Sequence, residues 1–415
     1  MKQVMIFIFL LCSMYAAAQD SLLDNYLNSF DYFKLRDELE TRTNLDKATR
    51  LYYTSFADNA FNRNLLAVKR ADSFLSIHER RWPMQYLLHM QLMLTDSYNK
   101  LYHYKSAAQL SNILQSQSDI ENEALANERK IYNALRDVPP QEADMLGVTQ
   151  VPIRRNEIGL MEIPVKCNET EEQFIFDTGA NISTISESYA DKLKLHRIPE
   201  QIYVASGQGK RVRAELAVAD SLYIGNIRFQ HVVFIVMPDD DLYFPQINFQ
   251  IKGIIGFPVI SALNEVHISS KGILTIPETY TKRNFQNLAL NGATPIIETF
   301  AQNDTLLLHF DTGAANCSLF KNYFDKHRRE IRENNTSDRK KIMSAGGGRN
   351  MKMYNIPSLD LQIGSSPVRL TNVSVYTQYV NNSDKGAISG ILGQSSFADF
   401  DELIINFKFM FVDIK

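Results

Sequence analysis

The 415-residue sequence predicts a mixed, multidomain chain: an N-terminal α-helical hairpin domain followed by two homologous all-β units. Three observations carry that expectation. From residue 21 to 136 glycine is absent and proline occurs only at Pro83, while apolar residues recur at helical spacing, as in Leu87, Leu88, Leu92, Leu94 and Tyr98. After Val138-Pro139-Pro140 the texture changes to short β-rich runs punctuated by glycine, such as I-G-L-M-E-I-P-V and H-V-V-F-I-V-M. Within that β region, four blocks of sequence recur in one order.

The chain opens with a sorting signal. Met1-Lys2 gives a short positive start, Val4 to Tyr15 is apolar, and Ala16-Ala17-Ala18 supplies the small residues that a signal peptidase needs, so residues 1–18 read as a signal peptide with a mature start at Gln19. The apolar run is shorter than the ~20 residues that span a bilayer, and the rest of the chain holds no membrane span. Cys12 follows Leu11, where a lipidation site wants a small side chain. Cleavage leaves Cys167 and Cys317, which read as two buried thiols rather than a disulfide framework. Composition describes a folded chain, with 45% apolar and 22% charged residues, and a net charge of −3 without a basic stripe argues against nucleic acid.

Residues 19–140 form the helical domain, with its boundary between 137 and 155. Two segments in it, F-A-D-N-A-F-N-R-N-L-L-A-V-K-R-A-D-S-F-L from 56 and L-T-D-S-Y-N-K-L-Y-H-Y-K-S-A-A-Q-L from 94, share one pattern. In each, a helix runs into a polar turn, and a second helix follows with alanine where two helices approach. Phe61 then matches Tyr102 and Ala67 matches Ala108. The pattern resembles tetratricopeptide helix pairs at a spacing longer than their usual ~34 residues. Such a domain serves either as a surface for a peptide or protein partner or as a scaffold.

The two β units, 150–280 and 290–415, are joined across roughly 278 to 292. F-D-T-G-A-N-I-S from 176 is answered by F-D-T-G-A-A-N-C-S from 310. A-S-G-Q-G-K from 205 is answered by S-A-G-G-G-R from 344, S-L-Y-I-G-N-I-R-F from 221 by S-L-D-L-Q-I-G from 358, and G-I-I-G-F from 253 by G-I-L-G-Q from 390. An Asp after three apolar residues sits where a buried strand ends, and Thr-Gly permits a tight turn that aims the carboxylate outward. A hydrophobic run ending in glycine suits a backbone passing close beneath another loop. Packed about a pseudo-twofold axis, the two turns would bring Asp177 and Asp311 to one site.

This set resembles the aspartic peptidases over residues of about 150 to 415. Its short units and the Ala after Asp-Thr-Gly are closer to the retropepsin-like branch, with its bacterial exported members, than to the pepsin branch. The resemblance implies a bilobal peptidase with catalytic carboxylates at Asp177 and Asp311, and loops braced by Thr178, Gly179, Thr312 and Gly313. It implies a peptide or unfolded protein as substrate, water as nucleophile, and neither metal nor cofactor. The glycine-rich stretches, with Ser206, Gly207, Gly209, Gly346, Gly347 and Gly348, are candidate substrate-binding flaps. Asn-x-Ser triplets at Asn181 and Asn316 directly follow the motifs, where glycans would obstruct the site, so a bacterial export route to the periplasm or outside fits best. The alternative function is a non-catalytic peptide- or protein-binding module.

Other chemistry-bearing residues read as structural. His309 faces out or packs locally; Asp239-Asp240-Asp241 lacks the frame of a calcium loop and reads as solvated; Cys317 has no histidine partner indicated.

Overall fold

The structure, a computed structural model, describes residues 20–78, 82–117, 123–205, 211–302, 304–344, 347–379 and 386–415. The expected signal peptide lies outside the described residues. Among those described, no helix is long and apolar enough to cross a membrane.

Helices pair as Ser21–Asn28 with Tyr32–Thr41, Lys47–Ala60 with Asn64–His78, and Met84–Lys100 with Tyr104–Gln117, before a final helix, Glu123–Leu135. Aspartates begin three of them: Asp20, Asp31 and Asp46 accept hydrogen bonds from first-turn N–H groups that have no partner inside the helix. Each pair is joined by the same turn. Phe30, Asn62 and Tyr102 take left-handed backbone at φ 64°, 58° and 58°. The next residue then donates to a carbonyl five back: Asp31 to Tyr26 at 2.9 Å, Arg63 to Asp58 at 2.7 Å, His103 to Tyr98 at 2.8 Å. The turns therefore align Asn62 with Tyr102, one residue away from the Phe61–Tyr102 match expected from sequence, and they add a first pair that the sequence pattern did not reveal. An aromatic cluster fills the domain, with Tyr52 stacked on Trp82 at 5.1 Å and Phe74 edge-on to Trp82 at 4.9 Å.

Two large sheets follow. The first runs in the order Glu142–Met145, Ile227–Met237, Ser183–Ser186, Gly253–Ile255, Thr170–Phe176, Met161–Cys167, Arg211–Ile224, His196–Ala205. The second runs Leu288–Asn291, Thr294–Ala301, Asp304–Phe310, Ile388–Leu392, Ser318–Leu319, Ser366–Tyr376, Gly347–Ile363, Ser337–Ser344. Each curls so that non-neighbours in this order also pair, Arg211–Ile224 with Ile227–Met237 and Thr294–Ala301 with Gly347–Ile363. Both place the strand of the Gly-Ile-Ile-Gly or Gly-Ile-Leu-Gly block parallel to the strand that runs up to Asp: Ile255 lies opposite Phe176, and Leu392 opposite Phe310.

A third sheet, of five strands, joins the two halves. Thr149–Pro152, Ile273–Ile276 and Glu265–Ser269 continue directly into Glu402–Asn406 and Phe411–Ile414, with Val266 opposite Ile405 at the junction. On this sheet His267 bridges Glu265 at 2.6 Å and Glu402 at 2.9 Å, while Lys415 holds Glu402 at 2.8 Å. Burial disfavours the His267 cation, but the two carboxylates outweigh it and raise its pKa. Burial likewise works against ionised Glu265 and Glu402, yet hydrogen bonds from His267, with Thr281 on Glu265 and Lys415 on Glu402, hold both below the usual carboxylate range. The histidine contribution is complete below its unfolded value of about 6.5 and is lost as pH rises through the higher folded value. The glutamate contributions are complete above about 4.5 and are lost as pH falls through the lowered values. Urea midpoints should therefore peak between about pH 4.5 and 6.5, and His267→Gln should flatten part of the alkaline decline. An unchanged alkaline slope would show that the His267 ion pairs do not contribute to stability.

The helical domain seats on both halves. Tyr32 Oη donates to Asn291 Oδ1 at 3.3 Å and Asn62 Nδ2 to the Phe407 carbonyl at 3.2 Å, while Tyr102 Oη donates to the Pro258 carbonyl at 2.8 Å.

Candidate active site

Asp177 and Asp311 each sit one residue past a buried strand, and each main-chain N–H continues the parallel ladder, to the Ile255 carbonyl at 3.0 Å and the Leu392 carbonyl at 3.1 Å. That pairing fixes where the strand stops and the turn begins. Gly179 N–H folds back on Asp177 Oδ1 at 2.8 Å, and Gly313 N–H on Asp311 Oδ1 at 2.8 Å, so each carboxylate is oriented by its own turn.

The turns meet. Thr178 and Thr312, both fully buried, exchange a crossed set of bonds: Thr178 N–H donates to Thr312 Oγ1 at 3.0 Å and Thr312 N–H to Thr178 Oγ1 at 3.0 Å. Each hydroxyl then donates to the opposite strand, Thr178 Oγ1 to the Phe310 carbonyl at 2.9 Å and Thr312 Oγ1 to the Phe176 carbonyl at 2.8 Å. Every polar atom in this brace is satisfied across the two sheets. Replacing Thr178 by Val leaves a buried N–H and a buried carbonyl unpartnered, at about 1–3 kcal/mol each. Thr178→Val should lower the unfolding free energy in urea by about 2–4 kcal/mol, and Thr178→Ser by far less; equal losses would mean that the methyl, not the hydroxyl, matters.

Glycine is required at 179 and 313 by proximity rather than by backbone angle. A Cβ on Gly179 would lie 2.7 Å from the carboxyl carbon of Asp311, and one on Gly313 would collide with the carboxyl of Asp177. Gly256 and Gly393 close the floor for the same reason: a Cβ on Gly256 would sit 2.7 Å from the Ala180 carbonyl oxygen, and one on Gly393 2.6 Å from that of Ala314. Beneath the two loops, Gly256 N–H donates to Ser183 Oγ at 3.1 Å and Gly393 N–H to Cys317 Sγ at 3.3 Å. Cys317 is thus a buried acceptor in the place of a serine, and both Cys167 and Cys317 are free.

The two carboxyls face across the paired turns, that of Asp311 packed against Gly179 and that of Asp177 against Gly313, close enough to perturb one another. Both keep a little solvent access on the open side but are closely walled by protein. Burial pushes the Asp177 carboxyl well above the usual range, the negative charge of Asp311 adds to it, and the Gly179 N–H opposes it. Burial also raises Asp311, against hydrogen bonds from Asp177, Gly313 and Ala314. A pair so placed holds one proton between two carboxyls, because a second ionisation would set two negative charges side by side in a poorly solvated site.

Two positioning contacts were not foreseen. Arg155 Nη1 hydrogen-bonds to Gln394 Oε1, and Gln394 Nε2 reaches the Thr312 carbonyl at 2.7 Å, a chain from the first half to the loop of the second. In return Thr294 Oγ1 donates to Asn181 Oδ1 at 3.0 Å. The first half has Phe257 where the second has Gln394; both N–H groups bond the preceding loop, to Ala180 and Ala314 at 2.8 Å. Only the polar residue after G-I-L-G distinguished them in sequence.

Of the flap candidates, Ser206, Gly207, Gly209 and Gly346 lie outside the described residues. Gly347 and Gly348 open a long strand, opposite Ser344 and Met343. Of the two places expected for His309, the structure shows local packing: it is buried against Phe320, with ring centroids 6.1 Å apart. Asp239 accepts from the N–H and Oγ of Ser188, at 3.2 and 2.9 Å, at the start of a short helix.

No curated protein matches the chain. Residues 163–259, which carry Asp177 and the Gly253–Gly256 block, match the family model of aspartyl proteases, and that match supports the aspartic peptidase family and a peptidase hydrolase.

Proposed function

We propose that the chain is an exported aspartic endopeptidase whose two β units, duplicates of one another, form one active site from Asp177 and Asp311. The single observation that carries this reading is the meeting of the two Asp-Thr-Gly turns within one chain, braced by Thr178 and Thr312, with each carboxyl against the glycine of the opposite turn. In the singly protonated pair, one carboxylate takes a proton from a water molecule as its oxygen attacks the scissile carbonyl carbon. The other carboxyl donates its proton to the carbonyl oxygen. Collapse of the tetrahedral species then breaks the C–N bond as the amine leaves with a proton from the pair. The titration belongs to the pair, so neither Asp has a permanent role.

Raised carboxyl pKa values keep the proton in place toward neutral pH, and activity falls as pH rises through the upper value of the pair. The signal sequence supports action in the periplasm or outside the cell, where unfolded proteins and peptides are the available substrates. The test is cleavage of an unstructured peptide library by purified protein, with inhibition by a statine-type peptide. Tight peptide binding without cleavage at any pH from about 3 to 8 would instead favour a binding module.

A further inference from the structure

The helical domain grips one β-hairpin through a side chain that behaves as a piece of β-strand. Asn127, on the final helix, accepts from the Tyr203 N–H through Oδ1 at 2.8 Å and donates from Nδ2 to the Tyr203 carbonyl at 2.8 Å. This two-bond exchange is what a neighbouring strand would make with the edge strand His196–Ala205. Beside it, Glu123 pairs with Arg211 of the second hairpin strand at 2.9 Å, and the Arg211 guanidinium lies 5.1 Å over the Tyr203 ring. Below, Leu135 and Ile131 of the helix share a hydrophobic cluster with Ile202 and Val212 of the hairpin and with Ile175, two residues before Asp177.

Among the described residues, the corresponding edge strand of the other half, Ser337–Ser344, pairs with Gly347–Ile363 and receives no such side chain from the helical domain. We infer that Asn127 is a positioning residue for substrate binding: it fixes the strand pair His196–Ala205 and Arg211–Ile224, which packs on Ile175 two residues before Asp177, so that the helical domain sets the readiness of the site to receive a peptide. The inference rests on the proposed peptidase reading. A hairpin held in place before the peptide arrives loses less freedom on binding, so its release appears in KM, whereas the dyad that performs the chemistry is untouched.

The test combines peptide kinetics with amide hydrogen exchange on the full chain. Asn127→Ala should speed exchange at Tyr203 and its neighbours by about tenfold, raise KM about fivefold and leave kcat within about twofold. Asn127→Asp keeps the acceptor for the Tyr203 N–H and should fall between. Asn133→Ala is the control: Asn133 sits on the same helix and pairs with Asn112 inside the helical domain, so its loss should leave KM unchanged. Faster exchange with an unchanged KM, or an equal rise of KM in Asn133→Ala, would overturn the positioning role. Unchanged exchange in Asn127→Ala would overturn the latch itself. A parent protein that cleaves no peptide would defeat the peptidase reading and the KM consequence together, and exchange would still decide whether Asn127 holds the strand.

Discussion

Asp177→Asn and Asp311→Asn should each lower the cleavage rate of an unstructured peptide by about 10³-fold or more, because either change removes a proton position that the proposed reaction uses. The two losses are not additive, since the carboxyls act as a unit, and the double variant is hardly worse than either single one. Stability moves in the opposite direction. Folding raises the pKa of both groups, so the folded state binds the shared proton more tightly than the unfolded chain does. Their contribution is favourable below the unfolded value of about 3.9 and is lost as pH rises through the folded value. An amide at 177 keeps a hydrogen-bonding group without charge, so Asp177→Asn should melt at a higher temperature than the parent near pH 8, the condition in which two buried carboxylates repel most. An inactive variant with a raised Tm separates lost chemistry from lost folding. A variant of full activity would remove that residue from the reaction.

The second large effect concerns the glycines that let the turns touch. Gly313→Ala puts a methyl group against the Asp177 carboxyl, and Gly179→Ala puts one within 2.7 Å of the Asp311 carboxyl carbon. Neither carboxyl can yield, because each is tied to its own turn by a 2.8 Å bond. The turns must part, stretching the crossed threonine bonds, and activity should fall at least about a hundredfold, since small misplacements of reacting groups cost that much. Measured unfolding should also lose about 1–3 kcal/mol, the usual penalty for forcing a methyl group into a packed site. Near-normal kcat in Gly313→Ala would mean that the loops are not locked together.

The features most legible in sequence were those where close approach restricts residue type. Asp-Thr-Gly at 177 and 311 and the glycines at 253, 256, 390 and 393 stand where backbone passes against backbone or side chain, and substitution there is sterically costly. Features that depend on distant partners were opaque. Nothing local in Glu265, His267 or Glu402 announces that a five-stranded sheet will gather them across the junction of the two halves. Gln394 could be seen but not its reach to Thr312, and Asn127 reads in sequence as one more polar helix residue. The first helical turn escaped notice for a different reason. Residues 21–41 contain no alanine, the small residue that marked the second helix of the other two pairs, so nothing matched them to the later segments. For His309 the sequence left two places open, facing out or packing locally, and its strand, buried along the half that carries it, takes the second, against Phe320.

The central claim is that one chain supplies both carboxyls of one site. Calorimetric titration of the monomeric protein with a statine-type peptide, whose hydroxyl takes the place of the attacking water between the carboxyls, tests it most directly. One inhibitor should bind per chain in protein shown to be monomeric, with binding lost in both Asp177→Asn and Asp311→Asn. One inhibitor per two chains, appearing only when the protein dimerises, would contradict it.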